Sequence, residues 1–178
     1  MGIISRKICL LGDFAVGKTS LVRRFVDRQF SDNYLSTLGV KLSRKKITCT
    51  SSCDQNRQEL QLIIWDIEGE TKFRGIAPNY LQGGKGAIFV ADVSRPHTID
   101  NLINHQRLWL SINPKAPIAI ALNKMDLIQT EHRDQILESV PIPKEQVVLL
   151  TPTSAKTGDY VDQMFQTLAS AIAPRTSL

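Results

Sequence analysis

Two periods alternate along this chain. Ile3–Leu11 is a short apolar run with β-branched residues that closes on Gly12-Asp13, the pattern of a buried strand. Past Gly17-Lys18-Thr19, Leu21, Val22, Phe25 and Val26 recur at helical spacing and predict a helix over 18–28. Residues 29–38 carry neither period and read as a loop. Val40–Thr50 and Glu59–Asp66 predict two strands, joined by the polar stretch Ser51–Gln58 and close enough in sequence to pair antiparallel. A second loop, Ile67–Gly75, leads to a short helix ending at Gly83-Gly84. Gly86–Val93 reads as a buried strand, and Ile99, Leu102, Ile103, Trp109 and Ile112 mark a helix. Ile118–Asn123 is a further strand, followed by a shorter helix near 131–139 and a last strand at Val147–Leu150. Val161, Met164, Phe165, Leu168 and Ile172 form the apolar stripe of a C-terminal helix.

Strands alternating with helices over the whole length predict an α/β fold: a six-stranded, mostly parallel sheet with one antiparallel edge strand and about five helices on its two faces. The 178 residues contain no repeat, low-complexity tract or linker, and one domain spanning 1–178 is expected.

Composition narrows the class. The apolar runs 86–91 and 117–122 fall far short of the roughly 18 residues that cross a bilayer. Ser5-Arg6-Lys7 interrupts any secretory signal at the N-terminus. Three cysteines make no disulfide framework, so a reducing, cytoplasmic setting is expected. Cys9 is expected inside the sheet, and Cys49 and Cys53 bracket a hairpin loop without assigned chemistry. His97, His105 and His132 lie on or near helices with no ligand cluster around them. The net charge is +5, and residues 1–60 carry 11 Lys/Arg against 5 Asp/Glu. Arg23, Arg24 and Arg28 on a helix and Lys41, Arg44, Lys45 and Lys46 on a strand read as solvated faces. No aromatics interleave with them as nucleic-acid stacking requires, so no nucleic-acid partner is expected.

Gly12-Asp-Phe-Ala-Val-Gly-Lys-Thr19 fits G-x-x-x-x-G-K-[ST] between a predicted strand and a predicted helix. Its glycines let backbone N–H groups approach phosphates, and the following helix adds its positive N-terminus. Lys18 reaches the β- and γ-phosphates and the Thr19 hydroxyl can ligate Mg²⁺. Asp13, Phe14, Ala15, Val16, Gly17, Lys18, Thr19 and Ser20 are therefore candidate nucleotide-binding residues. The loop fixes a nucleotide without choosing its base.

The base is chosen downstream. Asn123-Lys124-Met125-Asp126 follows a strand end, where an open α/β sheet presents ligand-binding groups. A carboxylate at Asp126 can accept from guanine N1–H and its exocyclic amine together, a donor pair adenine lacks. Thr153-Ser154-Ala155-Lys156 follows the last strand and can direct a backbone N–H at guanine O6. Asn123, Lys124, Asp126, Ser154, Ala155 and Lys156 complete the candidate base site.

With Ser36-Thr-Leu-Gly-Val40, Trp65-Asp-Ile-Glu-Gly69 and Tyr80–Ser94, these stretches make the chain resemble a Ras-superfamily small GTPase of the Rab branch, from Ile4 to about Ala173. The resemblance implies a GTP/GDP switch with Mg²⁺, and an effector, an exchange factor and an activating protein as partners. It implies that Thr37 ligates Mg²⁺ and senses the γ-phosphate, and that Asp66 holds Mg²⁺ through a water. It places the Gly69 N–H on the γ-phosphate, Phe30 against the guanine and Tyr34 over the phosphates. Mg²⁺ would thus be held by Thr19, Thr37 and Asp66, and Lys18, Thr37, Gly69 and Glu70 would be the catalytic set.

The departures from the family fall on hydrolysis. Where the family reads Asp-x-Ala-Gly-Gln, this chain has Asp66-Ile67-Glu68-Gly69-Glu70, and Phe14 stands where relatives carry a small residue. A benzyl group there crowds the γ-phosphate and obstructs an arginine finger, which is worth about 10³–10⁵ in rate. A Glu70 charge about 6 Å from the γ-phosphate, at an effective dielectric near 20, costs roughly 3 kcal/mol, although a carboxylate can also orient water. Slow hydrolysis is expected, and a GTP-bound module without turnover is the alternative. Lys41-Leu42 replaces the usual acidic residue and Phe, so the basic strand 41–46 is expected to meet an acidic partner surface. The ending Ala173-Pro-Arg-Thr-Ser-Leu178 has no prenylation cysteine, and the myristoylation pattern fails at Arg6, so no lipid anchor is evident.

Overall fold

The computed structural model describes residues 3–31, 37, 39–50, 57–69 and 78–174. Tyr34, Cys53 and Glu70 lie outside the described residues. The elements are β1 (Ile4–Leu11), α1 (Lys18–Asp27), β2 (Val40–Thr50), β3 (Arg57–Ile67), β4 (Gly86–Asp92), α2 (Pro96–Asp100), α3 (Leu102–Ile112), β5 (Ile118–Asn123), α4 (Arg133–Glu138), β6 (Val147–Pro152) and α5 (Val161–Ile172). The strands form one six-stranded sheet in the order β2-β3-β1-β4-β5-β6. Only β2 and β3 pair antiparallel; the other neighbours are parallel, as the alternating pattern predicts.

The apolar runs set this order. β4 and β5 are buried along their whole length, as strands covered on both faces must be. In β1, Ile8 and Leu10 turn to one face and Cys9 and Leu11 to the other, the two-residue alternation of a strand. The first face is packed by α1 and α5, whose Phe25 and Phe165 rings stack at 4.0 Å. The second face carries Leu102 and Trp109 of α3 and Ile99 of α2. Burial pushes the Cys9 thiol up to about 12, so it stays protonated at neutral pH.

Several boundaries differ from the expectations. β3 runs past Glu59–Asp66 at both ends because its ladder with β2 continues from Thr50 opposite Arg57 to Val40 opposite Ile67. β6 extends to Pro152. The helix expected before Gly83-Gly84 is a 3-10 turn at Pro78–Tyr80, and the one near 131–139 is a 3-10 turn at Thr130–His132 followed by α4. The helix marked by Ile99 to Ile112 is two, α2 and α3, meeting at Asn101. Asn101 keeps helical φ and ψ of −74° and −11°, so the apolar spacing runs through the junction and only the hydrogen-bond ladder is interrupted. The basic residues are also not uniformly solvated. Arg24 Nε donates to the Ala155 carbonyl at 2.8 Å. Lys45 bonds the Phe25 carbonyl and sits 4.6 Å from the Phe25 ring. Lys41, Arg44 and Lys46 are exposed.

The Phe25–Phe165 stack joins α1 to α5 in the core. Phe165→Ala is expected to lower unfolding free energy by about 3–5 kcal/mol in guanidinium titration, because a fully buried ring is removed and the cavity cannot close.

Candidate functional site

The loop from Gly12 to Gly17 is held by its carbonyls. Lys18 Nζ donates to the carbonyls of Gly12 and Asp13, each at 2.8 Å. The Phe14 carbonyl accepts from Arg95 Nη2 at 3.0 Å, that of Ala15 from Lys124 Nζ at 3.2 Å, and that of Val16 from Asn123 Nδ2 at 2.9 Å. The Gly17 carbonyl accepts the Leu21 N–H at 2.9 Å, the first bond of α1. None of these peptides is cis, so the N–H joined to each carbonyl points the opposite way. Each carbonyl from Gly12 to Gly17 is thereby occupied, which leaves the joined amides free of the loop's own acceptors. Gly17 is required twice over: its φ is +101°, and a Cβ there would lie 2.2 Å from Asn123 Nδ2.

A cavity of about 330 Å³ lies over these amides. It gathers residues from separate parts of the sequence. Phe14, Ala15, Gly17, Lys18, Thr19 and Ser20 meet Thr37 and Gly69 as well as Phe30, Asn123, Lys124, Asp126, Ala155 and Lys156. Three further candidates send their side chains elsewhere. Val16 is buried in the core with α1 and α5, Asp13 turns towards α3, and Ser154 is buried behind Asp126. Phe14 lines the cavity while keeping 40% of its surface accessible.

The base-side residues are interlocked. Asn123 spans from Val16 to the last loop, its Oδ1 accepting the Ala155 N–H at 3.2 Å. Ser154 Oγ donates to Asp126 Oδ1 at 2.6 Å, and the Met125 N–H reaches the Thr153 carbonyl at 3.0 Å. Lys124 adopts a left-handed φ of +66°, which carries the chain from β5 into the 3-10 turn that holds Asp126.

On the other side, Thr19 Oγ1 donates to Asp66 Oδ2 at 2.6 Å and lies 2.8 Å from Thr37 Oγ1. Burial pushes the Asp66 carboxyl up, opposed by the Thr19 hydrogen bond and the Lys18 charge. Asp66 Oδ1 is buried without a hydrogen-bond partner among the described residues. Two hydroxyls and a carboxylate with an orphaned oxygen are hard donors that fit a Mg²⁺ ion completing its shell with phosphate and water. Burial lowers Lys18 to about 8, against the charges of Asp66 and Asp13. Gly69 packs on the loop so closely that a Cβ would sit 2.6 Å from the Asp13 carbonyl and the Phe14 Cα. Glu68 reaches across to Gly39: its N–H donates to the Gly39 carbonyl at 2.8 Å, and its Oε2 accepts the Gly39 N–H at 2.9 Å.

Asp92, Arg95, Asn101 and His105 escape motif reading. Asp92, 1% exposed, accepts from Lys124 at 2.6 Å, from Arg95 at 2.9 Å and from Ser94. Burial pushes its carboxyl up, but these bonds outweigh burial and hold it below the ordinary carboxylate value. Asp92 thereby orients both cations that hold the Phe14 and Ala15 carbonyls. The available signal was a carboxylate closing the apolar run 86–91. For His105 it was position: Leu102, His105 and Trp109 share one helical face, so the histidine had to face inward.

A protein-family model described as "Ras of Complex, Roc, domain of DAPkinase" matches residues 7–126. The chain is 34% identical over 174 residues to the GTP-binding protein ypt5 of Schizosaccharomyces pombe, covering 95% of this chain and 78% of ypt5. It is 31% identical over 176 residues to the Ras-related protein Rab-31 of Rattus norvegicus, covering 98% and 86% of the two chains. Against Rab-22A of Mus musculus it is 34% identical over 168 residues, covering 93% and 82%. No helix among the described residues is long and apolar enough to cross a membrane.

Asp92→Asn is expected to lower stability at neutral pH by about 1–3 kcal/mol, since the two cations lose their counter-charge. The parent's contribution from this carboxylate is present above its unfolded value, near 3.8, and is lost as pH falls through the lower folded value. Unfolding titrations between pH 2 and 6 should show that loss in the parent and a flatter profile in the variant.

Proposed function

Since this chain belongs to the Rab-like branch of the Ras superfamily of small GTPases, we propose that it binds GTP and GDP and hydrolyses GTP slowly. In this reading the whole chain, 1–178, acts as one domain in the cytoplasm and presents its nucleotide-dependent loops to an effector, an exchange factor and an activating protein. The exposed Lys41, Arg44 and Lys46 offer an acidic partner its surface.

The observation that carries the reading is that Lys18, Thr19 and Asp126 open on one cavity, with Ser154 fixing the Asp126 carboxylate. The amides of residues 13–18 hold the phosphates, and Lys18 neutralises them. Asp126 accepts from guanine, the Ala155 N–H meets its O6, and Lys156 and Phe30 flank the base. By the family resemblance Tyr34 has the role of covering the phosphates. Thr19, Thr37 and Asp66 would hold Mg²⁺, which would neutralise charge on the phosphates. Gly69 supplies its N–H to the γ-phosphate, and Glu70 takes, in sequence, the position of the family's water-positioning glutamine. Slow turnover follows from Phe14 at the cavity edge beside Gly69, where its ring excludes an arginine finger.

Fluorescent GDP is expected to bind at least 100-fold more tightly than fluorescent ADP, the order of a missing hydrogen-bonded donor pair. Asp126→Asn should shift preference from guanosine towards xanthosine diphosphate, whose second carbonyl can accept from an amide. Equal affinity for ADP and GDP in the parent would overturn the base assignment.

A second reading, a GTP-bound module without turnover, is favoured by Glu68, whose carboxylate ties the two loops together through Gly39. Single-turnover hydrolysis of pre-loaded GTP separates the readings. The slow-GTPase reading expects a parent rate below about 10⁻⁴ s⁻¹ that is still measurable, raised about tenfold or more by Phe14→Gly. No measurable turnover in the parent, appearing only with Phe14→Gly or Glu68→Ala, supports the module. An ordinary rate that Glu70→Gln reduces would make Glu70 the working water-positioner and end the slow-turnover reading.

A further inference from the structure

We propose that Asn101 and His105 of the α2–α3 segment are positioning residues that set, through the Asp13 carboxylate, how tightly the phosphate loop grips its nucleotide. The proposal rests on the nucleotide-binding reading above and adds to it a control point outside the cavity. The phosphate-loop pattern asks nothing of the side chain at position 13, since the loop works through its backbone. Here that side chain is an acid, largely buried, and aimed away from the cavity. Its Oδ1 accepts from Asn101 Nδ2 at 2.6 Å and lies 2.9 Å from His105 Nε2. The Asn101 amide cannot turn round freely, because its Oδ1 already accepts from Asn104 Nδ2 at 2.7 Å. His105 is 1% exposed, on the α3 face packed against the sheet.

These contacts fall at the most crowded point of the loop. The Asp13 carbonyl is one of two anchors of Lys18, and the Asp13–Phe14 peptide is the surface on which Gly69 rests. Asp13 is thus gripped from the α2–α3 segment through its side chain while its backbone seats the phosphate-binding lysine and Gly69, just past β3. Loosening the side chain lets the peptide shift, which moves the Lys18 anchor and the amides that follow. The other charged groups acting around this carboxylate are His97 of α2, Lys18 of α1 and, beyond Lys18, Arg95 of the β4–α2 turn. Among the described residues the hydrogen bonds to this carboxylate come from Asn101 and His105, so the grip belongs to these two.

The test is dissociation of fluorescent GDP from the full chain, with hydrogen exchange of the 14–16 amides measured in nucleotide-free protein. His105→Leu and Asn101→Ala are each expected to speed release by about tenfold, equivalent to about 1.4 kcal/mol, and to speed exchange of those amides. His105→Gln, which retains a donor, should return release to within about twofold of the parent. In an Asp13→Ala background, His105→Leu should add less than about twofold, because its route is gone. Equal release by His105→Leu and His105→Gln, or an undiminished effect of His105→Leu without Asp13, would show that α3 acts only through general packing and would overturn the proposal. If the parent binds no GDP, the nucleotide reading fails, while the exchange rates in the nucleotide-free chain still decide whether α3 holds the loop.

Discussion

The capture of all the carbonyls of residues 12–17 by donors is the constraint on which the rest of the site depends. A loop of backbone amides kept from the loop's own acceptors is unstable alone, since each exposed dipole would rather face water or pair locally. Here every carbonyl from Gly12 to Gly17 has a donor: Lys18 for two, then Arg95, Lys124, Asn123 and the Leu21 amide. Those donors come from the β4–α2 turn, the end of β5 and the start of α1. The parallel sheet brings the carboxyl ends of β1, β4 and β5 side by side, and this adjacency lets one short loop be held from several elements.

The same economy governs charge. Lys124 and Arg95 are needed as donors to the loop, yet two cations side by side repel. The buried Asp92 carboxylate resolves this by pairing with both, and these bonds favour its charged form. Asp66 lies at the other extreme. With one oxygen bound by Thr19 and the other without a partner among the described residues, it is raised by burial, the condition of a carboxylate arranged to receive a cation. Glu68 ties two loops through backbone atoms of Gly39. A small alanine at that place has no side-chain acceptor, so this link is specific to the departure seen in the sequence.

Elements were legible wherever burial writes a simple period. Ile118–Asn123 and Val40–Thr50 match their expected bounds, because an apolar run or a clean alternation begins and ends with the strand. The α5 stripe marks its helix equally well. Errors fell where hydrogen bonding, not burial, draws the boundary: the interruption at Asn101, the 3-10 turns, and the ladder that lengthens β3. Charge misled in another way. Arg24 and Lys45 looked solvated, since composition cannot show that a long basic side chain caps carbonyls on a neighbouring element.

The sequence by itself determined the phosphate loop, the base-reading tetrapeptides and the alternating α/β plan, because each is written in contiguous residues whose spacing carries its own chemistry. It also marked Phe14, Glu68 and Glu70 as departures. Only the tertiary structure decided what holds the loop. Asn101 and His105 reach Asp13 from 88 and 92 positions away, and Asn123 reaches Val16 across 107. Such contacts have no period and no motif: they exist because the sheet order sets one strand end beside another, and a side chain's partner is fixed by that adjacency rather than by its neighbours in the chain.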